Sequence, residues 1–264
     1  MVTLSAIYIY EGTHPPEYKI EEIINYLKSV FPKTTIEKRK DFFSFLEEKR
    51  PSLGTDDIAK EITLCRVHQV NKEIEEFLPL PLEIEYEKKR LKNQKQIKGV
   101  IYDGFRLQSV CSKLLGLEEF NPSTCHIIFT NQLIASFDEN DKRYHLRVGI
   151  YGSPNIISTS GPMQALAKPR EYYLKLQMGL DPTALEQEFK EEIIDDNDSR
   201  LTEILKGYCL QGLLCHLEGI SFCEDKNCRL YNAHWQKDAI VAQIEAKYEF
   251  CPKHSKIIDK YKGS

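Results

Sequence analysis

The sequence lacks any long apolar run. No stretch approaches the roughly 18 consecutive apolar residues that a membrane-spanning helix needs, so we expect no membrane span. The first residues, MVTLSAIYIYEG, have no basic start, no extended apolar region and no small-residue cleavage site. We therefore expect a cytoplasmic protein without a secretory signal.

The sequence also lacks an excess of positive charge and several catalytic motifs. Its 36 Lys and Arg residues are outnumbered by 40 Asp and Glu residues, which gives a formal net charge of −4. A mildly acidic chain gives no reason to expect general affinity for nucleic acid or anionic membranes. There is no glycine-rich phosphate loop and no G-x-S-x-G elbow. The charged run Glu83–Lys98 is interpreted as a solvated helix face or linker, with a binding patch as the alternative.

Eight cysteines are present, and four residues near the C-terminus have a spacing that suggests a metal site. Without a secretory signal, cysteines are expected as reduced thiols or metal ligands and not as disulfides. Cys223-x4-Cys228 and Cys251-x2-His254 form two short pairs, and zinc prefers four tetrahedral sulfur and imidazole ligands. A site with three thiolates and one imidazole is closed, so we predict one structural zinc per chain. The alternatives are four unrelated residues, or His234 replacing one ligand.

The local patterns predict a mixed α/β fold. Apolar alternation indicates strands at Thr3–Tyr10, Thr34–Lys40, Ser123–Asn131, Leu133–Asp138, Arg143–Gly152 and Pro154–Gly161. Helical spacing indicates helices at Lys19–Phe31 and across Gly54–Phe77. After Pro169 it indicates three further helices, and Asp195–Ser199 is expected to cap the last of them. We expect an N-terminal α/β region at 1–110 and a second region at 111–264, with one compact domain as the alternative.

The helix before the cysteines carries a second pattern. His216 and Gly219 extend the motif to H-x-x-G-x-x-x-C-x4-C. This resembles the archaemetzincins, zinc peptidases with the pattern H-E-x-x-H-x-x-G-x-x-H-C-x4-C-x-M followed by C-x-x-C, and in particular a divergent archaeal branch of such metallopeptidase-like proteins. The matching positions are His216, Gly219, Cys223, Cys228, Cys251 and, in place of the last cysteine, His254.

The resemblance implies a metzincin-like mixed sheet with an active-site-type helix and a zinc-bound C-terminal tail. In that family three histidines hold a catalytic zinc, a glutamate is the general base, and the cysteines hold a structural zinc. The structural half of the motif is retained here. The catalytic half departs from the pattern, since the first histidine, the glutamate, the third histidine and the methionine correspond to Gly212, Leu213, Phe222 and Leu230.

A catalytic site rebuilt from other residues is the main alternative. On the helix, Cys209 lies two turns before His216, about 10.5 Å along the axis, which Zn²⁺ bonds of roughly 2.0–2.3 Å do not span easily. Cys215 points elsewhere, and Glu218 is at most a water-activating base. His126 and His145 lie in predicted strands. Gly212 is interpreted as a point of close helix–strand packing, or else as a hollow left by a lost ligand.

These observations predict a zinc-binding pseudo-peptidase that binds a peptide or protein partner without hydrolysing it, using the cleft around His216 and Gly219. Whether the chain is an enzyme stays open at this point. An active metallopeptidase with non-standard ligands is the first alternative. A zinc-stabilised nucleic-acid or assembly module is the second, and the acidic charge argues against it.

Overall fold

The computed structural model describes residues 4–12, 18–92, 99–195, 198–220 and 222–263. Its strands are β1 Ala6–Tyr10, β2 Thr35–Arg39, β3 Ile101–Asp103, β4 Thr124–Thr130, β5 Leu133–Asp138, β6 Arg143–Arg147, β7 Gly149–Ile150 and β8 Asn155–Ser158. Its α-helices are α1 Ile20–Val30, α2 Phe42–Lys49, α3 Thr55–Thr63, α4 Pro81–Lys92, α5 Gly104–Leu115, α6 Gly161–Gln164, α7 Arg170–Gln177, α8 Pro182–Glu188, α9 Leu201–Glu218, α10 Gln236–Ile240 and α11 Pro252–Gly263.

The strands form two sheets. The larger has the order β2-β1-β4-β8-β7, and its pairs are parallel except that β7 runs antiparallel to β8 at the edge. The smaller has the order β3-β5-β6, with β3 parallel and β6 antiparallel to β5. The predicted mixed α/β class is therefore confirmed, and the strands predicted from alternation are all present within a few residues.

Both faces of the larger sheet are buried, which is why its central strands contain nearly continuous apolar residues. Ile7 and Ile9 of β1 face a core that includes α1 and α9, and Cys125 of β4 faces the same side. Tyr10 of β1 and Ile128 of β4 face a second core built with α2, α3 and α5. Helix α9 runs through the first core, which fixes the position of its C-terminal end beside β4 and β8.

The predicted helix across Gly54–Phe77 is wrong beyond its first half. Helix α3 ends at Thr63, and the chain then becomes extended. The Val67 N–H donates to the Ile101 carbonyl (2.8 Å), and the Cys65 carbonyl accepts from the Asp103 N–H (2.7 Å). Pairing with β3 therefore overrides the local helical pattern, a tertiary effect that periodicity does not contain.

Two further expectations need correction. The charged run is helical up to Lys92 but is not only a solvated face, because Glu87 and Arg90 of α4 are buried and Glu87 accepts a hydrogen bond from the Tyr102 hydroxyl (2.7 Å). Its basic end, residues 93–98, lies outside the described residues. Helix α9 begins after Arg200 without a side-chain cap, although the Asp198 carboxylate accepts from the Arg200 N–H. Residues 196 and 197 of the predicted cap lie outside the described residues.

The N-terminal and C-terminal halves of the chain share their sheets. Strands β1 and β2 pair in one sheet with β4, β7 and β8, so strands from both sides of residue 110 are hydrogen-bonded together. The division into regions 1–110 and 111–264 stays a prediction about chain organisation. Within the described part of the chain, no helix is long and apolar enough to cross a membrane.

Candidate metal centre

The first pair of candidate ligands lies on a tight loop after α9. Helix α9 ends at Gly219, whose φ of 66° is a left-handed conformation that glycine adopts without strain, and the chain turns out of the helix there. The loop is closed by a short bridge between Cys223 and Tyr231, in which the Cys223 N–H donates to the Leu230 carbonyl (2.7 Å). This backbone pairing holds Cys223 and Cys228 in a fixed relation.

The second pair lies at the start of the last helix. Helix α11 begins at Pro252, whose fixed φ suits the first helical position, and Cys251 immediately precedes it. The Ser255 N–H donates to the Cys251 carbonyl (2.8 Å), which shows that the first turn is formed. Cys251 and His254 are three residues apart, so one turn of helix brings the sulfur and the imidazole to the same side.

These four side chains converge on one point. Their ligand atoms all lie within 4.8 Å of one another. The Cys223 and Cys251 sulfurs are 3.8 Å apart, and His254 Nδ1 lies 3.6 Å from the Cys228 sulfur and 3.1 Å from the Cys251 sulfur. Two sulfurs bound to one tetrahedral Zn²⁺ at about 2.3 Å lie about 3.8 Å apart, so the Cys223–Cys251 distance matches this geometry.

The cluster is buried, and burial governs its charge. Burial raises the pKa of the Cys223 thiol, and it raises the pKa of Cys228 to about 12. Burial acts in the same direction on Cys251, but hydrogen bonds from the His254 backbone N–H and from the Cys223 and Cys228 side chains, with a smaller one from the Lys253 N–H, more than offset it and lower the pKa of that thiol. A metal must therefore displace protons from Cys223 and Cys228 when it binds, because thiolates are the ligands.

The surroundings of the cluster also suit an ion. The Asp225 N–H approaches the Cys223 sulfur at 3.4 Å, a contact that stabilises a thiolate. His254 is fully buried and directs Nδ1 towards the sulfurs. The four predicted ligands are therefore brought together, and no other group of three or more Cys, His, Asp or Glu side chains converges in this way within the described ranges.

The predicted catalytic positions on α9 are organised differently. A side chain at Gly212 would place Cβ 2.8 Å from Asn155 Oδ1 and 3.3 Å from the Tyr151 ring. Asn155 is completely buried in β8, and its amide donates to the Cys125 sulfur (3.2 Å) and the His126 carbonyl (3.2 Å). Gly212 is therefore a point of close packing between helix and sheet, as the first of the two interpretations expected.

The other motif positions have partners within the protein. His216 is half-buried, and its Nε2 donates to the Pro122 carbonyl at 3.0 Å. Phe222 is 48% exposed, with its ring centroid 5.8 Å from that of Tyr151. Leu213 and Leu230 are completely buried in the first core. Gly219, which the sequence placed with His216 as a binding position, serves here to end the helix.

The histidines and the carboxylate considered as replacement groups also have other roles. His126 is 3% exposed, and its two ring nitrogens contact the Tyr10 hydroxyl (3.1 Å) and the Glu119 carbonyl (3.0 Å). His145 lies in the other sheet and pairs with Asp141 (2.8 Å). Glu218 accepts a hydrogen bond from the Tyr261 hydroxyl (2.6 Å), which directs its carboxylate to α11. None of these belongs to a convergent metal group.

The remaining candidates are thiols and one exposed histidine. Cys125 and Cys209 are fully buried between β4 and α9, and burial raises the pKa of the Cys125 thiol to about 12 and that of Cys209 further still. Cys215 is half-buried. His234 is exposed and lies outside the four-residue cluster, so it does not replace one of the four ligands in this arrangement.

A cavity that the motifs did not indicate opens beside Phe222. It holds about 90 Å³ and is bounded by the segment leading into β7, by α9 and by the loop after the cysteines. Its lining includes Arg147, Tyr151, Tyr208, Asn232 and His234. These residues come from three separate parts of the chain with no shared spacing, so no signal in the sequence groups them. We call this space the Phe222 cavity.

Three comparisons with known proteins were made. A search of curated proteins found no match. Among solved structures, the chain is similar to the crystal structure of archaemetzincin (amzA) from Methanopyrus kandleri, with 11% sequence identity, 100% of this chain and 97% of that chain covered, and a TM-score of 0.47. Residues 3–261 match the family described as "Probable metallopeptidase family (DUF6775)". Because the match spans nearly the whole sequence, the prediction of a metallopeptidase-like protein is confirmed, and this chain belongs to that family of probable metallopeptidases.

Proposed function

We propose that this chain is a zinc-binding, archaemetzincin-like protein that uses its peptidase-type cleft to bind a peptide or protein partner without hydrolysing it. The proposal has two parts. One is a single structural zinc at Cys223, Cys228, Cys251 and His254. The other is a cleft beside α9 in which the catalytic metal ligands have been lost.

The chemistry of the cluster supports zinc. Membership of a metallopeptidase family implies a metal, and three thiols with one imidazole form a donor set that favours Zn²⁺ over the oxygen-preferring Ca²⁺ and Mg²⁺. When bound, such an ion cross-links the loop after α9 to α11 and keeps no open coordination position. The role of the four residues is then to hold the tail against the first core.

The single observation that carries the non-hydrolytic part is the packing at Gly212. A catalytic zinc needs three protein ligands and one open position. In this family pattern the first ligand would project from residue 212, where even a Cβ atom would lie 2.8 Å from the buried Asn155 amide. His216, at the second ligand position, donates instead to the Pro122 carbonyl. The position is filled by packing, which supports a loss of hydrolysis.

The edge of the larger sheet supports peptide binding. Strand β7 is at the edge of the sheet and has no further strand beside it in the described part of the chain, which is the position where an extended peptide would pair. The Phe222 cavity lies directly beside the entry to β7, and Phe222 is half-exposed there. An extended peptide added at β7 would bury Phe222 and could place one group in the cavity. Nucleic acid and membrane surfaces are not expected partners, given the acidic net charge.

Metal content and hydrolysis measured on the same preparation test this proposal. We expect one zinc per chain and no cleavage of casein or of a randomised fluorogenic peptide library above a heat-inactivated control. Two zincs per chain, with cleavage that 1,10-phenanthroline abolishes and added zinc restores, would support the competing function. That function is an active metallopeptidase with non-standard ligands, and the family description is the observation that favours it.

A further inference from the structure

We propose that the Phe222 cavity binds a carboxylate of the peptide and that Arg147 is the residue that recognises it. This inference rests on the proposed peptide-binding function and adds the chemical class of group that the cleft selects. It is carried by the charge of the cavity, by the contacts of Arg147, by the position of the cavity relative to β7 and by its volume.

The cavity has an unusual charge for this protein. The chain contains more Asp and Glu than Lys and Arg, yet among the described residues no acidic side chain belongs to the lining of the Phe222 cavity. The polar residues of its lining include Arg147, Asn232 and His234. A concave site with donors and no carboxylate is suited to an anionic group, since field lines from the cation are concentrated between low-dielectric walls.

Arg147 is held in place but keeps donors available. It lies at the end of β6, is half-buried, and its Nε donates to the Ser136 hydroxyl at 2.8 Å. Within the described ranges no carboxylate lies within ion-pair distance of Arg147, and Asp138 interacts with its charge only at longer range. By contrast, the half-buried Arg39 contacts Glu119 (3.0 Å), and the buried Arg229 contacts Glu249 (3.3 Å). The two terminal nitrogens of Arg147 can therefore bind both oxygens of an incoming carboxylate, the geometry that guanidinium favours.

The position of the cavity matches the end of an added strand. Residues 146–149 line it and lead directly into β7, which begins at Gly149. A peptide that pairs with the outer side of β7 therefore reaches the cavity with one end or with one side chain close to it. Tyr151 forms another part of the wall, and its hydroxyl donates to Gln211 Oε1 (2.6 Å), which fixes the ring.

The cavity is small and suits a compact group. Its volume of about 90 Å³ is sufficient for a carboxylate. Two sources supply this chemistry. One is the C-terminal carboxylate of a peptide, and the other is an internal Asp or Glu side chain. Both would displace waters and pair with Arg147.

A competition between defined peptide pools tests the inference. Immobilised full-length protein with its zinc bound is incubated with equal amounts of three pools of randomised hexapeptides, and the retained peptides are quantified by mass spectrometry. The first pool ends in a free carboxylate and lacks Asp and Glu, the second is its C-terminal amide, and the third is amidated but contains one Glu. Because a charge-assisted hydrogen bond contributes ~1.5–3 kcal/mol, we expect the first or third pool to be enriched at least tenfold over the second.

Variants assign the selection to Arg147. Arg147→Gln should abolish the enrichment, and Arg147→Lys should keep only part of it because an ammonium cannot bind both oxygens in the same way. Arg143→Gln is the matched control, since Arg143 lies on the same strand, pairs with Asp141 and does not line the cavity. Its enrichment should equal that of the unchanged protein. Circular dichroism and zinc content, unchanged in all three variants, exclude unfolding as the cause.

The possible outcomes separate the two proposals. Equal retention of all three pools, or enrichment that Arg147→Gln leaves intact, would overturn the role of Arg147 while peptide binding stands. Retention of no pool would overturn the peptide-binding function itself, and the carboxylate site with it. Enrichment of the first pool alone would identify the peptide C-terminus as the source, and enrichment of the third alone would identify an acidic side chain.

Discussion

Two groups of residues near the C-terminal end of α9, the cysteine tail and the positions Gly212 and His216, are organised differently in this structure. At the cysteine tail, four ligand atoms from two segments converge within 4.8 Å, and the His254 Nδ1 faces the sulfurs of Cys228 and Cys251. At the catalytic positions, each group that could contact a metal is already satisfied. His216 donates to Pro122, and Gly212 leaves no room for a side chain.

The difference between these two groups of residues shows how a metal site can be recognised from the arrangement of its side chains when no ion is present. Buried polar groups are nearly always hydrogen-bonded, so donors that face one another with no other partner indicate a bound group that satisfies them. Groups that already have protein partners indicate the opposite. By this criterion the tail has the geometry of a complete site, and Gly212 and His216 belong to the packing between α9 and its neighbours.

The largest effect is expected when one ligand of the cysteine cluster is removed. Cys228→Ser removes a fully buried ligand, and we expect the zinc content to fall from one per chain to near zero. Because metal binding contributes directly to folding of such tails, the free energy of unfolding should decrease by more than about 4 kcal/mol. Elemental analysis and urea unfolding of the same samples measure both changes. Cys215→Ser is the control, since this half-buried thiol lies outside the cluster. Retention of one zinc and of full stability by Cys228→Ser would contradict the comparison.

Features that depend on residues close together in the sequence could be predicted, whereas features that depend on contacts between distant segments could not. The four ligands come from two short pairs, so their local spacing was enough to predict that they converge. The helix α9 and most strands were also predicted, because their apolar patterns match the buried faces they form. The packing of Gly212 on Asn155 was expected only as one of two interpretations, since the sequence does not show which strand the helix meets.

Other features depend on contacts between distant segments, and no local pattern in the sequence indicates them. The helix predicted to Phe77 ends at Thr63 because the chain pairs with β3, some 40 residues later. The Phe222 cavity combines Arg147, Tyr208 and His234, which no motif links. Arg147 was predicted only as one residue of a strand, and the fold shows that no carboxylate among the described residues lies within ion-pair distance of it.

The second prediction concerns a histidine that we assign to the core and not to a metal. Burial, with smaller contributions from Arg39 and Lys49, lowers the pKa of His126 to about 4, so the folded protein keeps this ring neutral at pH 5. The unfolded chain, with a histidine pKa near 6.5, binds a proton there, and stability is therefore lost as pH falls from 6.5 towards 4. This single group should decrease the free energy of unfolding by about 2 kcal/mol between pH 7 and pH 5.

Urea unfolding at the two pH values, on the unchanged protein and on His126→Gln, isolates this effect. Other titrating groups, including the zinc ligands, act in both proteins and cancel in the difference. The variant should lose about 2 kcal/mol less than the unchanged protein on acidification. Identical losses in the two proteins would show that His126 is already protonated or solvent-accessible in the folded state. The distinction between His126 as a core residue and His254 as a metal ligand would then be weaker.

The third prediction concerns Gly212 and tests whether close packing leaves no room for a side chain there. Alanine at a helix interior normally stabilises by ~1 kcal/mol relative to glycine. At Gly212 the added Cβ would lie 2.8 Å from Asn155 Oδ1, and Asn155 is fixed by its own hydrogen bonds, so overpacking should prevail. We expect Gly212→Ala to decrease the free energy of unfolding by about 1–2 kcal/mol. A thermal or urea unfolding curve provides the measurement.

A double-mutant cycle with Asn155→Ala tests the cause. Removing the Asn155 amide opens the space that Cβ needs, so Gly212→Ala should become neutral or stabilising in that background. Gly212→His, which restores the family ligand, should destabilise more than alanine and add no second zinc. A tolerated histidine that brought a second zinc would show that the catalytic position is still open, and the comparison between the two sites would fail at this point.

The smallest expected effect is at His216, the one catalytic ligand position that still carries a histidine. If its Nε2 only donates to the Pro122 carbonyl, His216→Ala removes one half-buried hydrogen bond, and stability should decrease by about 0.5–1.5 kcal/mol. The zinc content should stay at one per chain, as in the unchanged protein. His216→Gln offers a matched variant, since its amide can reach the same carbonyl and should recover part of the loss. A decrease from two zincs to one in His216→Ala would instead show a metal at this helix, because no ligand of the cysteine tail has been altered.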